Sequence, residues 1–74
     1  MKASRAHLTA ATRLDSIARE LESAALHART AAGHFRQGNV PRAAAHAFAA
    51  IGHSAGAGRV IEDVARSHAK RARP

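Results

Sequence analysis

The sequence predicts an all-α protein, and three observations carry that expectation. Apolar residues recur at helical spacing through the first half of the chain. Alanine, the best helix former, supplies most of the nominal hydrophobicity. A single cluster of turn residues, Gly38-Asn39-Val40-Pro41, divides the chain near its middle. The expected architecture is a long N-terminal helix followed by two shorter ones. Together they form an antiparallel αα-hairpin extended to three helices within one domain, residues 1–74.

The first helix is expected from about Ser4 to Gln37. Leu14, Leu21, Ala28 and Phe35 share one heptad position, Ile17, Ala24 and Ala31 fall three residues on, and Ala11, Ala18, Ala25 and Ala32 four residues on. That is an i, i+3, i+4, i+7 stripe held over four heptads, opposed by Arg19, Glu22 and Arg29. Two of the three stripe positions are mostly alanine, which lets a partner helix approach closely. Leu and Ile are too sparse for a conventional zipper.

After Gln37, Gly38 fits the left-handed position that ends a helix, and Asn39 can cap the next. Pro41 falls in a first turn, where its missing N–H is not needed. The second helix is expected over about 40–53, with Val40, Ala44, Ala47, Phe48 and Ile51 on its apolar face. Gly52, Gly56 and Gly58 weaken the next stretch, so a loop or a new start at Ser54 is expected there. The third helix then covers about 59–71, with a face of Val60, Ile61, Val64, Ala65 and His68. Glu62 and Asp63 near its start, and Lys70 and Arg71 near its end, suit the helix dipole. A basic tail with Arg73 and Pro74 closes the chain.

These lengths do not match. At 1.5 Å per residue the first helix is about 45 Å long and the others roughly 20 Å each. Either the third helix covers the first half of helix one, or helix one breaks near residues 12–16, or its Leu14–Ile17 stretch is exposed for another chain. The last option predicts a homo-oligomer.

Gly38-Asn39-Val40-Pro41-Arg42-Ala43, followed by Ala47, Ala50 and Ile51, resembles the turn and second helix of a tetratricopeptide-type hairpin. Phe35 sits where that family places an aromatic near the end of its first helix. The resemblance covers about residues 24–51, one repeat. It departs from the family at Pro41, at Ala47 where a larger aromatic is common, and in lacking a second repeat. Three-helix microtubule-interacting-and-transport bundles share these hairpin features. The resemblance implies an αα-hairpin and peptide or protein binding.

Chemistry-bearing residues are few. There are no cysteines, hence no disulfide or thiolate metal site, and the aromatics are Phe35 and Phe48 alone. Six histidines stand out for 74 residues. His27 and His34 are seven apart on the first helix, and His46 and His53 repeat that spacing on the second. Four imidazoles could serve zinc or nickel, but a single helix chelates best at i, i+4, and no carboxylate completes the set. No metal and no cofactor is expected. Protonation of these histidines near pH 6 offers a second use. Gly52-His53-Ser54-Ala55-Gly56 has no strand before it, and Gly56-Ala57-Gly58-Arg59 is too short for a dinucleotide site. No enzyme activity and no small-molecule substrate are expected.

The charge balance is +7, from 12 Lys+Arg against 5 Asp+Glu. Lys2, Arg5 and Arg13 lie toward one end of the sequence and Arg66, Lys70, Arg71 and Arg73 toward the other, while Arg36 and Arg42 flank the turn. The basic start precedes no apolar stretch of signal-peptide length, and no run reaches about 18 apolar residues. No membrane span is expected, and the expected location is the cytoplasm.

A thin alanine-rich core and a long stripe point to a non-enzymatic adaptor or inhibitor that binds a protein, as a homo-oligomer. Leu14, Ile17, Leu21, Leu26, Phe35 and Phe48 are its candidate interface. The alternative is a basic protein holding DNA or RNA phosphates without strong sequence specificity. It would use Arg36, Arg42, Arg66, Lys70, Arg71 and Arg73.

Overall fold

Ser4 starts the first helix. Its hydroxyl accepts a hydrogen bond from the His7 N–H at 3.2 Å, and its own N–H donates to His7 Nδ1 at 3.3 Å. This is a capping box in which His7 takes the place usually held by a Glu or Gln. In the computed structural model, which describes residues 3–71, helix α1 then runs over Arg5–Arg36 and helix α2 over Val40–Arg71. The two form an antiparallel hairpin.

The turn is built as its residues demand. Gly38 has φ +74°, the left-handed conformation. The Gly38 N–H donates to the Phe35 carbonyl at 3.0 Å and the Asn39 N–H to the His34 carbonyl at 2.8 Å, the two bonds of a Schellman motif. Asn39 in turn caps α2, its side-chain oxygen accepting from the Arg42 N–H at 3.3 Å.

No third helix forms among the described residues. The glycine-rich stretch expected to break the chain lies inside α2, which is continuous to Arg71. The reason is packing. Ala43, His46, Ala50 and His53 face α1, and Ala57, Val60, Val64 and Ser67 continue the same alternation of three and four straight through the glycines. A break would lose that register, whereas each helical glycine costs about 1 kcal/mol. The N-terminal helix is not the longer one either. Both helices have 32 residues. The mismatch of lengths, and the homo-oligomer inferred from it, therefore lose their basis.

The core is thin. Among the described residues only Ile17, Ala24, Ala31, Ala43 and Ala57 are buried. The molecule measures 53 × 26 × 14 Å, a ribbon two helices wide and one helix thick.

Candidate interaction surfaces

The seam between the helices is small on one heptad position and polar on the other. On α1, Ala10, Ile17, Ala24 and Ala31 alternate with Arg13, Glu20, His27 and His34. On α2, alanines 43, 50 and 57 alternate with His46 and His53. The small positions bring the backbones together, and the polar side chains meet between them.

Four of those side chains form a ladder of rings drawn alternately from the two helices. His53 stacks on His27 with centroids 5.3 Å apart and planes 13° apart. His27 stacks on His46 at 5.3 Å and 30°, and His46 on His34 at 5.4 Å and 19°. His27 Nδ1 and His46 Nδ1 are 3.0 Å apart, so one ring donates and the other accepts. Glu20 ends the ladder, accepting from His53 Nδ1 at 2.9 Å. At the other end His34 Nδ1 is buried without a hydrogen-bond partner. Gly56 makes room for the carboxylate, since a Cβ there would stand 3.3 Å from Glu20 Oε2. Nearer the termini, Arg13 Nη1 donates to Ser67 Oγ at 3.3 Å. Among the described residues no three of His, Cys, Asp and Glu converge as a metal site requires.

The two broad faces of the ribbon differ sharply. Antiparallel packing sends the residue after each seam position of both helices to one side. On α1 these include Leu14, Leu21, Ala28 and Phe35, with alanines 11, 18, 25 and 32 between them. On α2 they include Ala44, Ala47, Ile51 and Ile61, and Val40 falls in the same register. Leu21, Ala25 and Ala28 meet Ile51 and Ser54 across a shallow groove floored by Ala24 and Ala50. Among the described residues this face carries no Asp, Glu, Lys or Arg. The residues before each seam position lie on the reverse face. They include Arg5, Arg19, Arg42, Arg59 and Arg66, with Thr9, Thr12, Ser16 and Ser23.

Of the six candidate interface residues, Ile17 is buried in the seam. Leu14, Leu21 and Phe35 are exposed together on the apolar face. Leu26 is exposed on the reverse face and Phe48 on the outer side of α2, so the structure does not join these two to the others. Among the candidate anion contacts, Arg36 and Arg42 are exposed beside the turn, and Lys70 is exposed near the end of α2. Arg66 donates to Glu62 at 2.9 Å in an exposed i, i+4 pair. Arg73 and the side chain of Arg71 lie outside the described residues. The hairpin brings the two ends of the sequence to one end of the molecule, where Arg5 and Arg13 share a groove with Val64, Ser67 and His68.

The ladder itself was only half visible in the sequence. The pairs His27/His34 and His46/His53 stood out by spacing, but Glu20 and Arg13, on the same seven-residue repeat as His27 and His34, did not. No helix among the described residues is long and apolar enough to cross a membrane.

No protein-family model matches the chain, and no match was found among curated proteins or solved structures. The tetratricopeptide-like resemblance stops at the turn. Such a repeat fits two helices into 34 residues, whereas each helix here has 32.

Proposed function

We propose that this chain is a non-enzymatic helical hairpin that binds protein through its apolar face. One observation carries the reading: the side of the ribbon holding Leu14, Leu21, Phe35, Val40, Ile51 and Ile61 is exposed, charge-free and continuous, with all six side chains 46% or more exposed. Domains are stable when two layers of secondary structure enclose a core, and this hairpin is one layer. A contiguous apolar patch on such a layer marks an interaction site. The surface offers shape and hydrophobicity to a partner and no group that does chemistry.

The test is affinity capture with the tagged chain against the same chain carrying Leu21→Glu and Ile51→Glu, with helicity followed by circular dichroism. The expected result is specific retention of protein, a second copy or another chain, that the double substitution abolishes while helicity persists. Retention indifferent to these substitutions would remove the apolar face from the function.

The reverse face supports a second reading, in which its arginines hold nucleic-acid phosphates. Binding of this kind weakens steeply with salt, by a log–log slope of about −0.9 per phosphate on duplex DNA. Replacing Arg5, Arg19, Arg59 and Arg66 by Gln should flatten that slope. Absence of DNA or RNA binding at about 50 mM salt ends the reading.

A further inference from the structure

We infer that the occupant of the apolar face is a second copy of this chain, laid antiparallel, so that two hairpins make a four-helix bundle. The inference rests on the reading of that face as a protein-binding surface and names its partner.

Area is the first argument. The hairpin exposes 5930 Å². A compact monomer of its 7.7 kDa exposes about 4,300 Å², so the excess is about 1,600 Å² on the same scale. A standard interface covers about 800 Å² per partner, and obligate dimers start at about 1,000. The excess per copy is thus about twice a standard half-interface and falls in the range of an obligate dimer. Shape agrees. The ribbon is 26 Å wide and 14 Å thick, so two stacked ribbons have a nearly square section, the form of a four-helix bundle.

Charge is the second argument. Each copy carries a net +7, yet the apolar face bears no Asp, Glu, Lys or Arg among the described residues. Two copies can therefore meet there without apposing like charges, and an acidic partner would find nothing on it to pair with. The face is also rich in alanine and poor in large aromatics, which suits close helix contact better than burial in a lipid surface.

The spacing of large and small residues gives the orientation. At 1.5 Å per residue from the turn, Phe35 and Val40 stand at its edge, Ala28 and Ala47 about 11 Å out, and Leu14 and Ile61 about 32 Å out. Leu21 lies about 22 Å out and Ile51 about 17 Å out. A two-fold axis through Ile51 then places Phe35 and Val40 over Leu14 and Ile61 of the second copy. It seats Leu21 over the gap left by Ala28 and Ala47, and Ile51 against itself. The parallel alternative would lay α1 over α2, stack Phe35 on Val40 and leave the alanine layer facing itself. The antiparallel arrangement also holds the two basic open ends apart, at opposite ends of a 53 Å molecule.

Solution mass and cross-linking test this directly, because the natural chain has no cysteine. The wild-type chain should have twice its 7.7 kDa mass. Ile51→Cys should oxidise to a covalent dimer. Phe35→Cys alone should not, but mixed with Leu14→Cys it should form the mixed disulfide. A dimer that instead cross-links when Phe35→Cys is mixed with Val40→Cys overturns the orientation. A monomer at every attainable concentration overturns the second copy. If that monomer still captures another protein through Leu21 and Ile51, the binding face stands and its occupant is a different chain. If it instead binds anionic phospholipid vesicles and captures no protein, both readings fall.

Discussion

His27 on α1 and His46 on α2 face each other with their Nδ1 atoms 3.0 Å apart. That bond exists only while one of the two nitrogens lacks a proton. It ties α1 to α2 across a seam held otherwise by alanines.

The neighbours extend the pair into a ladder. His27 also stacks on His53, and His46 on His34. Arg13 and Glu20 share the α1 seam with them, and Arg13 is turned to Ser67. Glu20 is the one carboxylate on the ladder, and it is engaged by His53. His27→Leu and His46→Leu made singly should each cost about 1 kcal/mol, because the remaining ring loses its partner, and made together should cost less than the sum of the two. Urea melts of the three variants check this. Strictly additive losses would contradict this account of the ladder.

Continuity of α2 gives a second prediction. Added methyls at Gly52 and Gly58 would meet nothing within 4 Å. Each Gly→Ala change should stabilise by up to about 1 kcal/mol, which for a chain of this size is about 4–8 °C in Tm. Gly56→Ala should gain less, because its Cβ crowds Glu20 Oε2 at 3.3 Å. Thermal melts of the three single variants check the ranking. A loss at Gly58→Ala would mean that the chain turns there instead of continuing as helix.

The turn was legible in the sequence because its chemistry is local. Gly38, Asn39 and Pro41 each act on their own backbone, and the Schellman and cap bonds follow from them. The expected third helix fails because its signal is equally local. Three glycines within seven positions lower local propensity, and what overrides them is the register of Ala57, Val60 and Val64 against α1, a long-range fact. The seam is hard to read because size is a poor guide to burial here. Of the large apolar residues of α1 only Ile17 is buried, and Leu14, Leu21 and Phe35 are exposed, while alanines and histidines occupy the rest of the contact. Alternating small and polar residues carry almost no hydrophobic signal, so only the antiparallel pairing exposes their role.

A third prediction isolates the turn. Gly38 has φ +74° and open space around its Cα, so Gly38→Ala adds no clash and tests backbone strain alone. The cost for a residue with a Cβ in this region is about 1–2 kcal/mol. The urea midpoint should fall accordingly, with helix content in the folded state unchanged. No change in the midpoint would mean that the turn adopts another geometry.

Two alanine substitutions separate the seam from the outer face. Ala57 is 1% exposed between the helices. Ala57→Leu must push them apart and should cost about 1–3 kcal/mol, as overpacking of a filled site does. Ala28 is exposed in the hairpin. Leucine there extends over the shallow groove it shares with Ile51, which has room for it, and its helix propensity is close to that of alanine. In a single hairpin Ala28→Leu is therefore nearly neutral. In the antiparallel pair of hairpins that site lies under Leu21 of the second copy, and the added side chain removes the gap that Leu21 fills. Ala28→Leu should then weaken association and make Tm more dependent on protein concentration, since dissociation becomes coupled to unfolding. Melts of both variants across a hundredfold concentration range distinguish the cases. A seam defect lowers Tm at every concentration, an interface defect is relieved as concentration rises, and an unchanged Ala28→Leu melt would place nothing over that face.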